Sequence, residues 1–316
     1  MAIYYEKCPL CKSDIKPFRN PRDSLGKIWH IFRCSACEVA FLNPMLESAE
    51  LDPYYDNDYY GPEHQRLHGA GESLIPLFRK ARAKRIKKLI PPKGTVLDVG
   101  CGRGITLSIL QKEGVKCFGV ERSEVSASSA KSAGVEVFAG DLADAPFDKE
   151  SFDIITYWQV LEHLENPLQA LERSFEMLKP NGKLLIQVPD VDGFQSKFSR
   201  DHWFHLDPPR HLWHFNARSL DFIAHKCGFS SLKKSHFSLE YGPFGMLQSI
   251  MNMLGLKRDA LFILMMGTEK NTSLATKTLL WSIGGILGAP ALLTELLASL
   301  LQAGAVVETV YVKKIS

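Results

Sequence analysis

The chain has 316 residues, 45% hydrophobic and 23% charged, a globular make-up long enough for one large domain and a smaller module. Its 38 basic and 35 acidic side chains leave a net charge of +3, so no overall field points to nucleic acid. Residues 1–7 carry no apolar secretory core, which predicts a cytoplasmic protein whose 7 cysteines are not disulfides.

Four of those cysteines have a better use. Cys8-Pro9-Leu10-Cys11 and Cys34-Ser35-Ala36-Cys37 are two CxxC knuckles separated by enough chain for a short hairpin, which is the zinc-ribbon arrangement. Each knuckle aims two thiolates at one point. Together they predict a closed, structural Zn site at Cys8, Cys11, Cys34 and Cys37, in a module of residues 1–45 too small for a core of its own. Redox chemistry and unmetallated cysteines are the competing readings, and the matched pair of knuckles disfavours both. An aromatic linker follows over 46–74, tyrosine-rich at 53–62, with packing as its expected job.

Arg79, Lys80, Arg82, Lys84, Arg85, Lys87 and Lys88 then fall on one predicted helix. They read either as a solvated face or as a surface for an anionic partner, lipid headgroups or a phosphorylated substrate. A buried strand, Thr95–Val99, runs next into Gly100-Cys101-Gly102-Arg103-Gly104 and a helix. Gly100 and Gly102 let the backbone pass close to a flat ligand, because a Cβ would occupy the ligand's space. A second strand, Lys116–Glu121, ends on Glu121 roughly twenty residues after the glycines, where a carboxylate suits the hydroxyls of a ribose. Dinucleotide enzymes share this much, so the downstream segments decide.

A third strand, Glu136–Ala139, precedes Gly140-Asp141-Leu142. A fourth, 154–158, runs into Gln159-Val160-Leu161-Glu162-His163-Leu164, and a fifth, 184–188, follows Lys179-Pro180-Asn181-Gly182. Short apolar strands alternating with helical stretches predict an α/β, doubly wound parallel sheet, whose ligands bind at the carboxyl ends of the strands. In this order and spacing the segments resemble the class I S-adenosylmethionine (SAM)-dependent methyltransferases over residues 75–241. The 160–164 segment looks like that of ubiquinone-pathway O-methyltransferases, and both knuckles resemble zinc-ribbon sugar or glycan methyltransferases. The resemblance implies a Rossmann-like fold with SAM as cofactor. Asp98 with Gly100, Cys101 and Gly102 would hold the methionine portion and adenosine, Glu121 the ribose, and Asp141 with the backbone of Leu142 the adenine. Trp158 and Gln159 would face the methyl group and the cofactor's amino-acid end. In the ubiquinone-pathway enzymes two acids and a histidine of this segment have been linked to a divalent metal; here Gln159 stands at the first acid.

Methyl transfer to a hydroxyl needs alignment, exclusion of water and a group that takes the proton. His163 beside Glu162 is the first candidate, against the reading that both simply cap and pack the next helix. Among His202, His205, His211 and His214, two prolines and no carboxylate beyond Asp207 disfavour a metal site. Arg210 and His211 resemble the substrate-side loop of the same enzymes, which makes His211 a second candidate base and Arg210 a grip for an anionic acceptor. Packing alone is again the competing reading.

A helix from Asn216 and a sixth strand at 232–239 follow, yet the last strand comes only at 306–312, within a final segment 303–316. The intervening 242–302 is an apolar helical insertion where a hairpin turn would suffice. Its uncharged run from Thr278 to Thr294 falls short of the roughly 20 residues of a membrane span and contains Pro290. Leu292, Leu293, Leu296, Leu297, Leu300 and Leu301 share one helix face, with Glu295, Ser299 and Gln302 away from it. A membrane surface, a homo-oligomer interface and the protein's own core all satisfy that pattern; the basic helix favours anionic lipid. The combined expectation is a methyltransferase peripheral at the inner face of the membrane, acting on a small or lipid-linked hydroxylated acceptor of cell-surface glycan, lipid or sugar metabolism. Its rivals are an RNA methyltransferase, disfavoured by a ribbon without interleaved aromatic and basic residues, and a non-catalytic SAM-binding module of membrane assemblies.

Overall fold

The computed structural model describes residues 2–55, 70–268 and 272–314, so the 56–69 part of the tyrosine-rich linker lies outside the described residues. The chain begins with β1 (Ile15–Arg19), β2 (Ile31–Cys34), β3 (Ala40–Leu42) and α1 (Ser48–Leu51). Next come α2 (Ala70–Lys87), β4 (Thr95–Val99), α3 (Ile105–Lys112), β5 (Lys116–Glu121), α4 (Glu124–Ser132), β6 (Glu136–Ala139) and β7 (Phe152–Trp158). Then follow α5 (Pro167–Met177), β8 (Leu178–Pro189), α6 (Phe194–Ser199), β9 (Trp213–His214), α7 (Ala217–Lys226) and β10 (Phe229–Ser235). Three helices, α8 (Gly242–Met253), α9 (Ala260–Met266) and α10 (Leu274–Leu300), precede β11 (Val306–Lys313).

Seven strands form one sheet in the order β10-β11-β8-β7-β4-β5-β6. From β8 to β6 the neighbours are parallel, and β11 lies antiparallel between β8 and β10. Helices on both faces leave Val96, Leu97, Ile154, Ile155, Leu184, Leu185 and Ile186 wholly buried, which is why these strands read as continuous apolar runs. Helix starts are marked chemically: Ser123 caps α4, Asn166 with Pro167 opens α5, and Asn216 with Ser219 forms a capping box on α7. The sixth strand occupies Phe229–Ser235 instead of 232–239. Phe229 is its buried anchor, and the chain leaves the sheet after Ser235 to enter α8.

The ribbon does not stand as an independent module. Its sheet has the order β1-β2-β3-β9, so a strand from the loop beyond β8 completes it, with Ala40 opposite His214 and Phe41 opposite Trp213. Leu42 donates its N–H to the Leu212 carbonyl at 2.9 Å. Arg33 grips the Asp192 carboxylate at 2.7 and 2.6 Å, and Lys226 donates to the Leu10 carbonyl at 2.9 Å. Phe41 and Leu42 belong to the same buried cluster as Leu212, Trp213 and Phe215. The expected module without a core borrows one from the larger domain.

The insertion packs as a layer of its own. Met246, Leu247, Met251, Leu261, Leu280 and Ala291 form a small core between α8, α9 and α10. α10 runs unbroken for 27 residues through Pro290, longer than the uncharged run alone implied, and among the described residues it is long and apolar enough to cross a membrane.

Candidate active site

A cavity of about 810 Å³ opens at the carboxyl ends of β4 to β7. Asp98, Gly100, Cys101, Gly102, Glu121, Asp141, Leu142, Trp158, Gln159 and His163 all line it. Gly100 has φ +69° and carries its N–H to the Val120 carbonyl at 2.8 Å; a Cβ there would stand 2.5 Å from Val160 Cγ2. At Gly102, φ +55°, a Cβ would meet nothing within 4 Å, so there the open space is the cavity itself. Cys101 lines the turn while its sulfur packs over Gly119, which leaves the backbone as its contribution to a ligand.

The two acids at the strand ends are held in place. Glu121 accepts the Gly102 N–H at 2.8 Å and the Ser123 N–H at 2.9 Å, bracing the glycine turn while its remaining lone pairs can meet hydroxyls. Asp98 accepts from the Thr156 hydroxyl at 2.6 Å, and burial pushes its carboxyl up to about 6 against the pull of that hydroxyl and of Arg82. Asp141, half exposed, pairs with Arg122 at 3.2 Å. At the end of β7 the backbone of Gln159 takes φ +56°, a conformation that non-glycine residues seldom adopt and that a structure retains where a side chain must be aimed. Among the described residues, Trp158 Nε1 and Gln159 Nε2 are buried donors with no partner, which fits a cavity wall awaiting an acceptor such as a carboxylate.

The basic helix splits its charges by residue type. Arg79 and Arg82 turn inward to Glu240, each at 2.7 Å; Arg82 also donates to the Tyr241 hydroxyl at 2.7 Å and lies over the Trp158 ring at 4.8 Å. Arg85 pairs with the buried Glu308. Only Lys80, Lys84, Lys87 and Lys88 face water. The expectation of a uniformly outward basic face therefore fails, because three of the seven charges turn to two acids, Glu240 and Glu308, brought from the far end of the chain.

The proposed proton-handling residues lie at one corner. His163 Nδ1 is 2.9 Å from the Tyr55 hydroxyl and 3.0 Å from the Arg210 carbonyl; a carbonyl only accepts, so Nδ1 bears the proton and Nε2 the lone pair. His211 sits behind it, ring centroids 4.5 Å apart, with Nδ1 at 2.9 Å from the His205 carbonyl. Neither His211 nor Arg210 lines the cavity. Arg210 is committed to Asp207 through Nε at 3.0 Å, and this pairing overrides burial to hold the Asp207 carboxyl well below the usual range. As placed here, His211 stands behind His163 and Arg210 pairs with Asp207, away from the cavity wall that a direct base or an anion grip would occupy. The four histidines of 202–214 do not converge, and burial holds His205 near 4 and His214 near 3, neutral at ordinary pH.

Glu162 is 1% exposed, neither carboxylate oxygen has a partner among the described residues, and burial pushes its carboxyl up to about 8. One ligand atom each from Glu162, His163 and His211 lie within 4.8 Å of one another. An orphaned carboxylate beside two imidazoles fits a divalent cation, with His211 supplying what Gln159 does not. Calorimetry with Mn²⁺ is expected to show one binding event that Glu162→Gln removes; equal heats from both proteins would assign the carboxylate to packing alone.

A family model described as a methyltransferase domain matches residues 72–234. The chain belongs to the methyltransferase-domain family. It is 35% identical over 153 residues, 45% of its length and 62% of the relative's, to the ubiquinone biosynthesis O-methyltransferase of Coxiella burnetii. Over 140 residues, 44% of this chain and 64% of the other, it is 31% identical to the uncharacterized protein MJ1123 of Methanocaldococcus jannaschii. The chain thus spans less than two thirds of the length of these curated relatives. The methyltransferase solved in complex with the Haloferax volcanii Trm112 methyltransferase activator shares the fold, with a TM-score of 0.51 at 14% identity over 80% of this chain and 97% of that one.

Outside the methyltransferase-domain match, the four cysteines converge. Cys8 and Cys37 sulfurs are 3.7 Å apart and those of Cys11 and Cys34 3.3 Å, close to the roughly 3.8 Å edge of a tetrahedron with metal–sulfur bonds of about 2.3 Å. The knuckles are built alike: Lys12 and Glu38, each following a second cysteine, take φ +64° and +63°. Sequence reasoning missed Tyr55, Arg82, Thr156 and Tyr241 in and around the domain's cavity. Tyr55 carried a signal as part of the aromatic linker and Arg82 as part of the basic helix, though neither was placed at the cavity.

Proposed function

We propose that this protein transfers the methyl group of SAM to a hydroxyl oxygen of a small or lipid-linked acceptor. The carrying observation is one cavity that collects, strand by strand, Asp98, the glycine turn, Glu121, Asp141 and Gln159, with His163 on its wall. Bound there, SAM supplies a carbon activated by a sulfonium, so that the acceptor oxygen gains a bond to carbon as the carbon–sulfur bond breaks with its electron pair kept by sulfur. Glu121 suits the ribose, and the orphaned Trp158 and Gln159 donors suit the carboxylate of the methionine portion. His163 Nε2 takes the hydroxyl proton, with Tyr55 and the Arg210 carbonyl fixing its ring. A cation held by Glu162, His163 and His211 would instead polarise that hydroxyl, a second reading favoured by the unpartnered Glu162 carboxylate. The relative's printed activity, O-methylation, supports oxygen as the accepting atom. The four cysteines we assign to a structural zinc, all positions being taken by protein.

His163→Ala is expected to lower kcat by about 10²- to 10⁴-fold with the SAM dissociation constant unchanged. Measured by calorimetry, SAM affinity should fall about tenfold per pH unit below about 6, as the buried Asp98 carboxylate gains its proton, and Asp98→Asn should flatten that profile. The reading as a whole is tested by incubating the protein with labelled SAM and extracts of glycans, lipids and phenols: label appearing as a base-stable ether supports it. Label on nitrogen overturns the hydroxyl acceptor, and label taken up by added RNA instead overturns the small or lipid-linked one.

A further inference from the structure

We infer that the outward face of α10, with α6 and the segment 237–239, docks on an anionic lipid bilayer, the helix lying in the plane of the surface. α10 wears its polarity inside out. Its one acid, Glu295, is completely buried, where it accepts the Ala305 N–H at 3.0 Å and the Gln195 side-chain amide at 2.7 Å. Ser299 likewise donates inward to the His236 carbonyl at 3.1 Å. Leu280, Ala291, Glu295 and Ala298 form the buried stripe. The opposite side presents Trp281, Ile286, Leu293, Leu296, Leu297 and Leu300 to solvent, and between Lys277 and the inward Glu295 there is no charge at all. A helix whose outer side met water would carry the reverse pattern.

The face continues beyond the helix. Phe194 donates its N–H to the Ala303 carbonyl at 2.7 Å, which seats α6 beside the end of α10. The exposed rings of Phe194 and Phe198 stack at 5.9 Å, and Lys197 and Arg200 stand exposed around them. Phe237 and Leu239, also exposed, follow the His236 that Ser299 holds. These cations decide the occupant. Protein interfaces are depleted of lysine in their buried parts, whereas a bilayer surface places aromatic rings at headgroup depth with basic side chains against anionic lipid. Because the inner stripe is bonded to the body of the protein, the helix lies along the surface without crossing it. Glu240 and Tyr241, next along the same segment, reach the cavity rim through Arg82. Resting additionally on the methyl-transfer reading, this places the cavity mouth where an acceptor anchored in the bilayer could enter; the docking itself does not depend on that reading.

The test is co-sedimentation of the full chain with vesicles of phosphatidylcholine alone and of phosphatidylcholine mixed with phosphatidylglycerol. Partitioning at least tenfold stronger into the mixed vesicles, weakening with salt, is the expected result. Lys197→Glu with Arg200→Glu should erase the preference for anionic lipid, and Leu293→Asp with Leu297→Asp should abolish binding. Both substitutions alter outward side chains, so SAM affinity and Tm serve as controls that should hold. Absence of vesicle binding by the wild type, binding unchanged in the variants, or a self-association that Leu293→Asp disrupts while vesicles are ignored, would each overturn the proposal. Loss of SAM binding in the wild type would overturn the function proposed above and leave this one standing.

Discussion

Gly100→Ala is expected to weaken SAM binding by at least about 100-fold. The new Cβ would stand 2.5 Å from Val160 Cγ2, on a backbone at φ +69° that alanine adopts only at a cost of roughly 1 kcal/mol. Neither side can give way cheaply, because the turn is tied to the Val120 carbonyl by the Gly100 and Cys101 N–H groups at 2.8 and 3.2 Å. The turn must move, and with it the Gly102 N–H that Glu121 braces. The double variant Gly100→Ala, Val160→Ala relieves the clash and should recover part of the affinity, which calorimetry would read. An affinity for Gly100→Ala equal to wild type would mean that the ligand does not follow this turn. Glu121→Ala offers an independent check, since it removes the ribose partner and the brace together.

Cys34→Ser should leave little soluble protein, and what remains should melt more than about 10 °C lower with its methyl-transfer activity lost. Structural zinc contributes about 10–16 kcal/mol in small ribbons, as much as the whole stability of an ordinary domain. Here the effect should reach the catalytic domain. β3, which follows the second knuckle, pairs with β9, and the loop leading into β9 carries Arg210, whose carbonyl orients His163. Elemental analysis of the wild type should find one zinc per chain, and chelation should reproduce the effect of the substitution. A metal-free Cys34→Ser protein with unaltered Tm would show that the borrowed core, through Phe41 and Leu42, holds the ribbon unaided.

The cofactor side of the cavity was legible because parallel strands buried on both faces are apolar throughout, so an acid at a strand end stands out. Asp98 and Asp141 stand beside the glycines Gly100 and Gly140, Glu121 at a strand end some twenty residues after the glycine turn, and all three line the cavity. The acceptor side was not legible. Tyr55 meets His163 across 108 positions of chain and Arg82 meets Glu240 across 158, and no local period encodes such pairings. Arg210 was read as a grip from the resemblance of its loop to a substrate-side loop; its pairing with Asp207, three positions away, is decided by how that loop folds.

Local pattern alone determined the alternation of strands and helices, the two sulfur knuckles, the glycine turn and the apolarity of 242–302, since each follows from the chemistry of neighbouring residues. Packing decided the rest. It turned Arg79, Arg82 and Arg85 inward while the lysines of the same helix stayed in water, joined the ribbon to the domain through two residues of β9, and buried Glu295 so that the leucines of α10 face out. A charged side chain goes inside only where a partner waits, and whether one waits depends on segments that only the folded chain brings together.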